Sequence, residues 1–292
     1  MIVHFFVLSL LKAIALLPFP AIYRLSNGLS FLVYKIIGYR KEVVKDNLRR
    51  AFPNYSEKEI SEIAQKFYLH FTDLILEMVK SLRMTEEEAR KRLILKNPEL
   101  FDQLYSQKKG VILVWGHYTN FEWMAMAMPL LVPQRCHAVY QPLSNKYFGE
   151  TVVKIRQQFG LRLYPMKETY PYMLGNDSSD SLYIFMADQS PSADRIKYST
   201  NFFGWKTPVH LGVENLAKKL DLAVVFLYAE RVKRGHYELT ARLLTEDPSS
   251  MPEHNLTDLH VAWLEEEIKL KPEDWLWSHK RWKHAKEAVN VS

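Results

Sequence analysis

The stretch from Val111 to Leu130 constrains the possible fold more than any other part of this chain. Val111-Ile112-Leu113-Val114-Trp115 is an apolar, β-branched run of strand length. The segment Gly116-His117-Tyr118-Thr119-Asn120-Phe121-Glu122 follows, and its glycine and polar residues mark a sharp turn. From Glu122 to Met128 good helix formers dominate; Thr119 or Asn120 is placed to cap that helix and Pro129 to end it. A buried strand, a tight turn and a helix in this order fit an α/β fold. The expected architecture is a mostly parallel central sheet flanked by helices, with His117 at the carboxyl edge where open sheets hold ligands.

His117 and Glu122 stand five positions apart across this turn, where they can approach each other. A carboxylate accepting a hydrogen bond from one imidazole nitrogen fixes the tautomer and raises the basicity of the other. The second nitrogen is then a general base suited to an alcohol attacking an acyl carbon. The alternative is a polar turn whose histidine bonds only locally.

The chain has 292 residues, enough for one large domain or two small ones, with 48% apolar and 13% aromatic residues, which excludes disorder. Its net charge of +6 favours anionic partners: a membrane surface, a phosphorylated lipid, nucleic acid or an acidic carrier protein. The single cysteine, Cys136, permits no disulfide framework, points to a reducing compartment, and reads as core and not as a nucleophile. Residues 2–23 are the most apolar stretch, interrupted by Lys12 and ended by Pro18 and Pro20. A second apolar patch, Leu29 to Ile37, follows among Arg24, Lys35, Arg40 and Lys41. Together they read as a membrane anchor on the cytoplasmic face, marginally spanning or lying in the interface; a buried core helix is the alternative. Nothing here resembles a cleaved signal peptide.

Ser56-Glu57-Lys58-Glu59 is a capping box, and apolar residues from Ile60 to Leu82 recur at helical spacing behind it. Thr85 to Glu88 is a second box, in a charged, solvated stretch, and Asn97-Pro98 opens a short helix. Beyond the organising segment, Cys136 to Tyr140 and Ser181 to Ala187 are candidate strands, and Lys146 to Phe159 a helix ended by Gly160. Asp188-Gln189 directly follows a strand, so it shares the rim of His117 if the strands are parallel. There Asp188 can orient a donor, pair with Arg156, or simply shape a turn before Pro191. Arg156 is by composition a surface cation, although near a helix end it can reach a phosphate or carboxylate. Asn201 to Pro208 reads as an aromatic loop feeding a helix at Pro208. Leu222 to Tyr228 and Tyr237 to Leu243 read as strands joined by a basic link, Arg231 to His236, taken as a hairpin turn with solvated charges. The tail from Pro272 to Lys283 mixes Trp275, Trp277 and Trp282 with cations, which suits a membrane interface better than nucleic acid.

His117-x4-Glu122 resembles the HX4D/E motif of the lysophospholipid acyltransferase superfamily. The fuller Gly-His-Tyr-x-Asn-x-Glu-Trp resembles its late lipid A biosynthesis branch, the lauroyl and myristoyl transferases. The likeness extends in order through Asn47-Leu48-x-x-Ala51-Phe52-Pro53, Tyr140-x-Pro142-x-x-Asn145, Arg156, Asp188-Gln189, Phe202-Phe203-Gly204 and Trp275 to Lys283. One departure is Gln141, where many members carry a cation. The resemblance implies transfer of an acyl chain from a thioester, usually on acyl carrier protein or else on coenzyme A. The acceptor is a hydroxyl on an anionic glycolipid, a lipid A precursor of lipopolysaccharide. It implies His117 and Glu122 as the catalytic pair, Arg156 and Asp188 as two further required positions, and Asn120 or Arg156 as candidate oxyanion donors; Asn120, Arg156, Asp188 and Gln189 are the expected substrate contacts. A membrane-associated segment over 1–40, one acyltransferase domain over 41–292, and an inner-membrane location facing the cytoplasm go with it. No cofactor, metal or nucleic acid is expected, and no GxSxG, HExxH or Walker A motif occurs. A glycerolipid or aminolipid acceptor, an acyl-thioester hydrolase, and a catalytically silent membrane-binding protein remain the competing readings.

Overall fold

A computed structural model of the protein describes residues 2–142 and 145–285. The chain opens with α1 (Ile2–Leu16) and α2 (Phe19–Phe31), which runs into a π-helical turn over Leu32–Ile37, then α3 (Lys41–Ala51) and α4 (Glu57–Lys80). After α5 (Glu86–Arg92), β1 (Leu93–Leu95) and α6 (Glu99–Ser106) come β2 (Val111–Trp115) and α7 (Phe121–Leu131). The centre continues with β3 (Arg135–Tyr140), α8 (Lys146–Gln157), β4 (Arg162–Pro165), α9 (Met166–Gly175) and β5 (Ser181–Met186). A separate hairpin, β6 (Tyr198–Phe202) with β7 (Trp205–Val209), precedes α10 (Gly212–Leu220), β8 (Ala223–Lys233), β9 (His236–Thr245) and α11 (Asn255–Leu270).

Seven strands form the main sheet in the order β1-β9-β8-β2-β5-β3-β4. Every pairing in it is parallel except β8 with β9, so the sheet is mostly parallel, as the strand–turn–helix pattern predicts. β2 lies between β5 and β8 and is buried along its whole length, which explains why its sequence is continuously apolar and not alternating. Period-2 geometry sends Ile112 and Val114 to one face of the sheet, and Val111, Leu113 and Trp115 to the other. The first face packs against α3, α4, α10 and α11; the second packs against α6 and α7. Cys136 is buried in the second core, as expected of an inert thiol.

Several expectations are corrected. No helix among the described residues is long and apolar enough to cross a membrane. α2 instead packs along α4, joined by Tyr23 Oη to Glu77 (2.8 Å) and Ser26 Oγ to Asp73 (2.6 Å). The charged stretch after Leu82 forms α5, whose N-cap Thr85 accepts from the Glu88 amide. No helix starts at Pro208: the aromatic segment is the β6–β7 hairpin, turning at Phe203-Gly204 with both residues at positive φ, and α10 starts only at Gly212. The basic link is a hairpin turn, but its charges are not free in solvent. Arg231 pairs with Asp274, and Arg234 with Asp73. Burial also overturns the membrane reading of the tail. Trp275, Trp277 and Trp282 are each at most 5% exposed and belong to the core beneath α3 and the β6–β7 hairpin. Asn47 Nδ2 holds that segment by donating to the carbonyls of Trp277 (2.8 Å) and His279 (2.7 Å).

Asp73 is buried and accepts from Ser26 of α2 and Arg234 of the β8–β9 turn, so it joins three distant parts of the chain. Asp73→Ala leaves the Arg234 guanidinium without its carboxylate. Because Arg234 is partly exposed, the expected loss of unfolding free energy is about 2 to 3 kcal/mol, below the range for a fully buried pair. Urea unfolding followed by far-UV dichroism measures it.

Candidate active site

The register of the two central strands builds the site. Trp115 of β2 stands beside Met186 of the parallel β5, so the residues two further along each strand, His117 and Asp188, also meet. Asp188 grips the histidine at two points: Oδ2 accepts from the His117 backbone amide (2.8 Å), and Oδ1 lies 2.6 Å from His117 Nδ1. Trp275 Nε1 donates to the same Oδ2 at 2.8 Å. The Asp188 side chain is 3% exposed and that of His117 15%, so the carboxylate is sealed while the imidazole still reaches the surface.

Local geometry forces His117 into this position. A Cβ at Gly116 would stand 2.6 Å from Leu264 Cδ1 and 3.3 Å from Asp188 Oδ2, so any larger residue would have to displace the Leu264 side chain for the turn to pass this close to α11 and the carboxylate. Thr119 adopts φ +49°, a conformation that strains a β-branched residue and clusters at functional sites. Its amide donates to the Asp274 carbonyl (2.8 Å), and its carbonyl faces His70 Nε2 (3.2 Å). Burial, aided by nearby Arg231, depresses His70 to a pKa of about 3, so the ring is neutral and Nε2 carries the donated proton. The Leu276 amide donates to the His117 carbonyl (3.0 Å), and the Phe121 ring packs edge-on against the imidazole at 4.8 Å. The turn is thus clamped from α4 and from the C-terminal segment together.

The expected pairing of His117 with Glu122 is not what the fold produces. Glu122 lies in the first turn of α7 and meets α8, where Arg156 donates to both its oxygens, Nε at 2.8 Å and Nη2 at 2.6 Å. The partners are exchanged: Asp188 orients His117, and Arg156 takes Glu122. Asn120 is not placed to touch a substrate either. It is fully buried as the N-cap of α7, with Oδ1 accepting from the Trp123 amide (2.9 Å) and Nδ2 donating to Glu77 (2.6 Å). Gln189 does stand at the site, its Nε2 lying 3.3 Å from His117 Nε2. Sequence reasoning missed Trp275 and the clamp around it, although the Trp-rich tail that supplies them was visible as a motif.

Electrostatics suit proton transfer. Burial works against a charged imidazole, but the adjoining Asp188 carboxylate outweighs it and raises the His117 pKa above the ordinary histidine value. Burial would likewise raise Asp188; the His117 charge and three donated hydrogen bonds prevail and hold it well below the usual carboxylate range. Since the carboxylate is ionised, Nδ1 carries the proton and Nε2 presents its lone pair outward. Such a dyad can withdraw a proton from a hydroxyl or water placed at Nε2. Among the described residues no group of three or more His, Cys, Asp or Glu side chains is placed to hold a metal ion.

The chain resembles known proteins over nearly its whole length. The chain is 21% identical over 286 residues to the lipid A biosynthesis lauroyltransferase of Escherichia coli K12, covering 97% of this chain and 92% of the relative. The family profile described as bacterial lipid A biosynthesis acyltransferase matches residues 1–284, nearly the whole chain. This protein therefore belongs to the bacterial lipid A biosynthesis acyltransferases, and it is an O-acyltransferase.

Proposed function

We propose that the protein moves a fatty acyl chain from a thioester on acyl carrier protein to a hydroxyl of a lipid A precursor, with His117 as general base and Asp188 as its orienting partner. The observation that carries this reading is the contact of His117 Nδ1 with buried Asp188 at the carboxyl ends of β2 and β5. Nε2 of His117 takes the proton of the acceptor hydroxyl as its oxygen attacks the thioester carbon. The tetrahedral oxyanion collapses, the carbon–sulfur bond breaks, and the thiolate recovers a proton from the imidazolium. No acyl-enzyme is needed. Gln189, whose amide already faces Nε2, is the nearest candidate to donate to the oxyanion or the incoming hydroxyl. Arg156 keeps Nη1 outside its fork with Glu122, available to an anionic group of the glycolipid.

A narrow cleft at His117, walled by Phe67, Phe71, Leu74, Phe121 and Leu276 together with the polar His70, Thr119 and Asp274, is a candidate path for the acyl chain. It has room for about one water molecule, so a chain enters only as these side chains turn aside. The first 37 residues supply the membrane contact. Leu10, Leu16, Phe31, Ile36 and Ile37 are each more than 60% exposed, and Lys35, Arg40 and Lys41 stand beside the last of them. Helices of this kind lie in the headgroup region, which supports a site held at the cytoplasmic face of the inner membrane.

His117→Ala abolishes transfer, and Asp188→Asn lowers kcat by about 10³-fold or more, because the amide favours the wrong tautomer. Glu122→Gln acts through Arg156 and weakens acceptor binding more than chemistry, seen as a larger change in KM than in kcat. A neutral base loses activity as pH falls through its pKa, so the acid limb of kcat/KM lies above about 6.5, the ordinary histidine value, and moves down in Asp188→Asn. Finally, Ile36→Asp with Ile37→Asp leaves the fold intact but releases the protein from anionic vesicles in a flotation assay.

A further inference from the structure

Next to Asp188, a small cavity of about 10 Å³ that His117 does not line is bounded by Asp188, Arg281 and His260, with Phe202 and Leu264 among its apolar walls. Arg281 is 1% exposed. Its Nη1 donates to the Pro208 carbonyl (2.9 Å), but Nε has no partner among the described residues. His260 is 3% exposed and its Nε2 is also unpartnered. Leaving a buried donor and a buried acceptor unpaired costs about 1 to 3 kcal/mol each, and native interiors seldom tolerate it. The cavity is large enough for about one water, and it offers that water polar partners.

We infer that this cavity holds one buried water that links Arg281 and His260 to Asp188, which makes Arg281 a positioning residue for the His117–Asp188 pair. Charge selects the occupant. An anion would face the Asp188 carboxylate and a cation would face the guanidinium, whereas a neutral water accepts from Arg281 Nε and donates to both other groups. Burial keeps His260 neutral, with a pKa of about 4, so Nε2 is open to accept. Among the described residues Oδ1 of Asp188 accepts only from His117 Nδ1 and has a lone pair left, while Oδ2 already takes two donors. The water and the Arg281 cation hold the carboxylate against rotation and counter its charge. This role, unlike the water itself, rests on the general-base reading of the site.

The groups that face the pair are Glu122 and Arg156 from α7 and α8, Glu267 from α11, and His279 and Arg281 from the C-terminal segment. Of these, Arg281 is the buried cation on the Asp188 side. Removing its charge takes a repelling neighbour from the imidazolium and so raises the His117 pKa.

A crystal structure of the full chain at a resolution that shows water decides the site without any variant. An ordered water within hydrogen-bond distance of Arg281 Nε, His260 Nε2 and Asp188 is expected. An empty cavity overturns the inference, as does density that disappears when halide is left out. The positioning role is read from the acid limb of kcat/KM in Arg281→Gln and Arg281→Lys. The first is expected to shift the limb up by about 0.5 pH unit or more, with KM for the thioester unchanged, and the second to restore it. An unmoved limb in folded Arg281→Gln overturns the role. If His117→Ala itself retains activity, the general-base reading fails instead, and the water site stands on its density alone.

Discussion

A buried carboxylate is costly unless its charge is answered, and the centre of this protein is arranged around one such group. Asp188 gives up water at the end of β5 and recovers it through the His117 amide, the His117 ring and the Trp275 indole. Each of these donors comes to Asp188 only because a different element is in place. The amide and the ring need the β2–β5 register and the Gly116 turn; the indole needs the C-terminal segment to fold back under the sheet. Loss of any one leaves a buried charge short of a partner. The site therefore depends on the whole α/β domain and not on the motif alone.

Two acid–base pairs lie side by side at the sheet edge, and their division of labour follows from backbone direction. Glu122 sits in the first helical turn of α7, where its side chain points along the helix toward α8 and meets Arg156. Asp188 emerges from the strand next to that of His117, so its carboxylate lies in the plane of the sheet edge beside the imidazole. A carboxylate from the neighbouring strand fixes ring orientation more rigidly than one on a helix with its own free rotamers. The Glu122–Arg156 fork in turn ties α7 to α8 and keeps a guanidinium near His117.

α4 is the spine that carries this site to the N-terminal helices. Its buried Glu77 accepts from Tyr23 of α2, Tyr237 of β9 and Asn120, the cap of α7. Burial pushes this carboxyl up to about 7, yet the three donors keep it fully engaged. One and two turns of α4 earlier, Asp73 and His70 anchor the β8–β9 turn and the strained Thr119, respectively. The N-terminal helices and the turn that carries His117 therefore share a single rigid support.

How much of this could be read from the chain depends on the range of the interaction. The sequence alone determined β2, the sharp turn, α7 and the sheet edge that carries His117, because strand composition, a glycine and a cap are local signals. It also marked Asp188 and Gln189 as sharing the rim of His117 if the strands are parallel, since they directly follow a strand, whereas by composition Arg156 reads as a surface cation near a helix end. Only the tertiary structure decided who pairs with whom. Spacing made Glu122 the obvious partner of His117, but strand order set Asp188 there and helix direction took Glu122 away. The tryptophan-rich tail was misjudged for the same reason: aromatic and basic residues look alike in sequence whether they meet a headgroup or a core. Burial distinguishes them, and burial is a property of the packed chain, fixed when α3, α11 and the β6–β7 hairpin close over Trp275, Trp277 and Trp282.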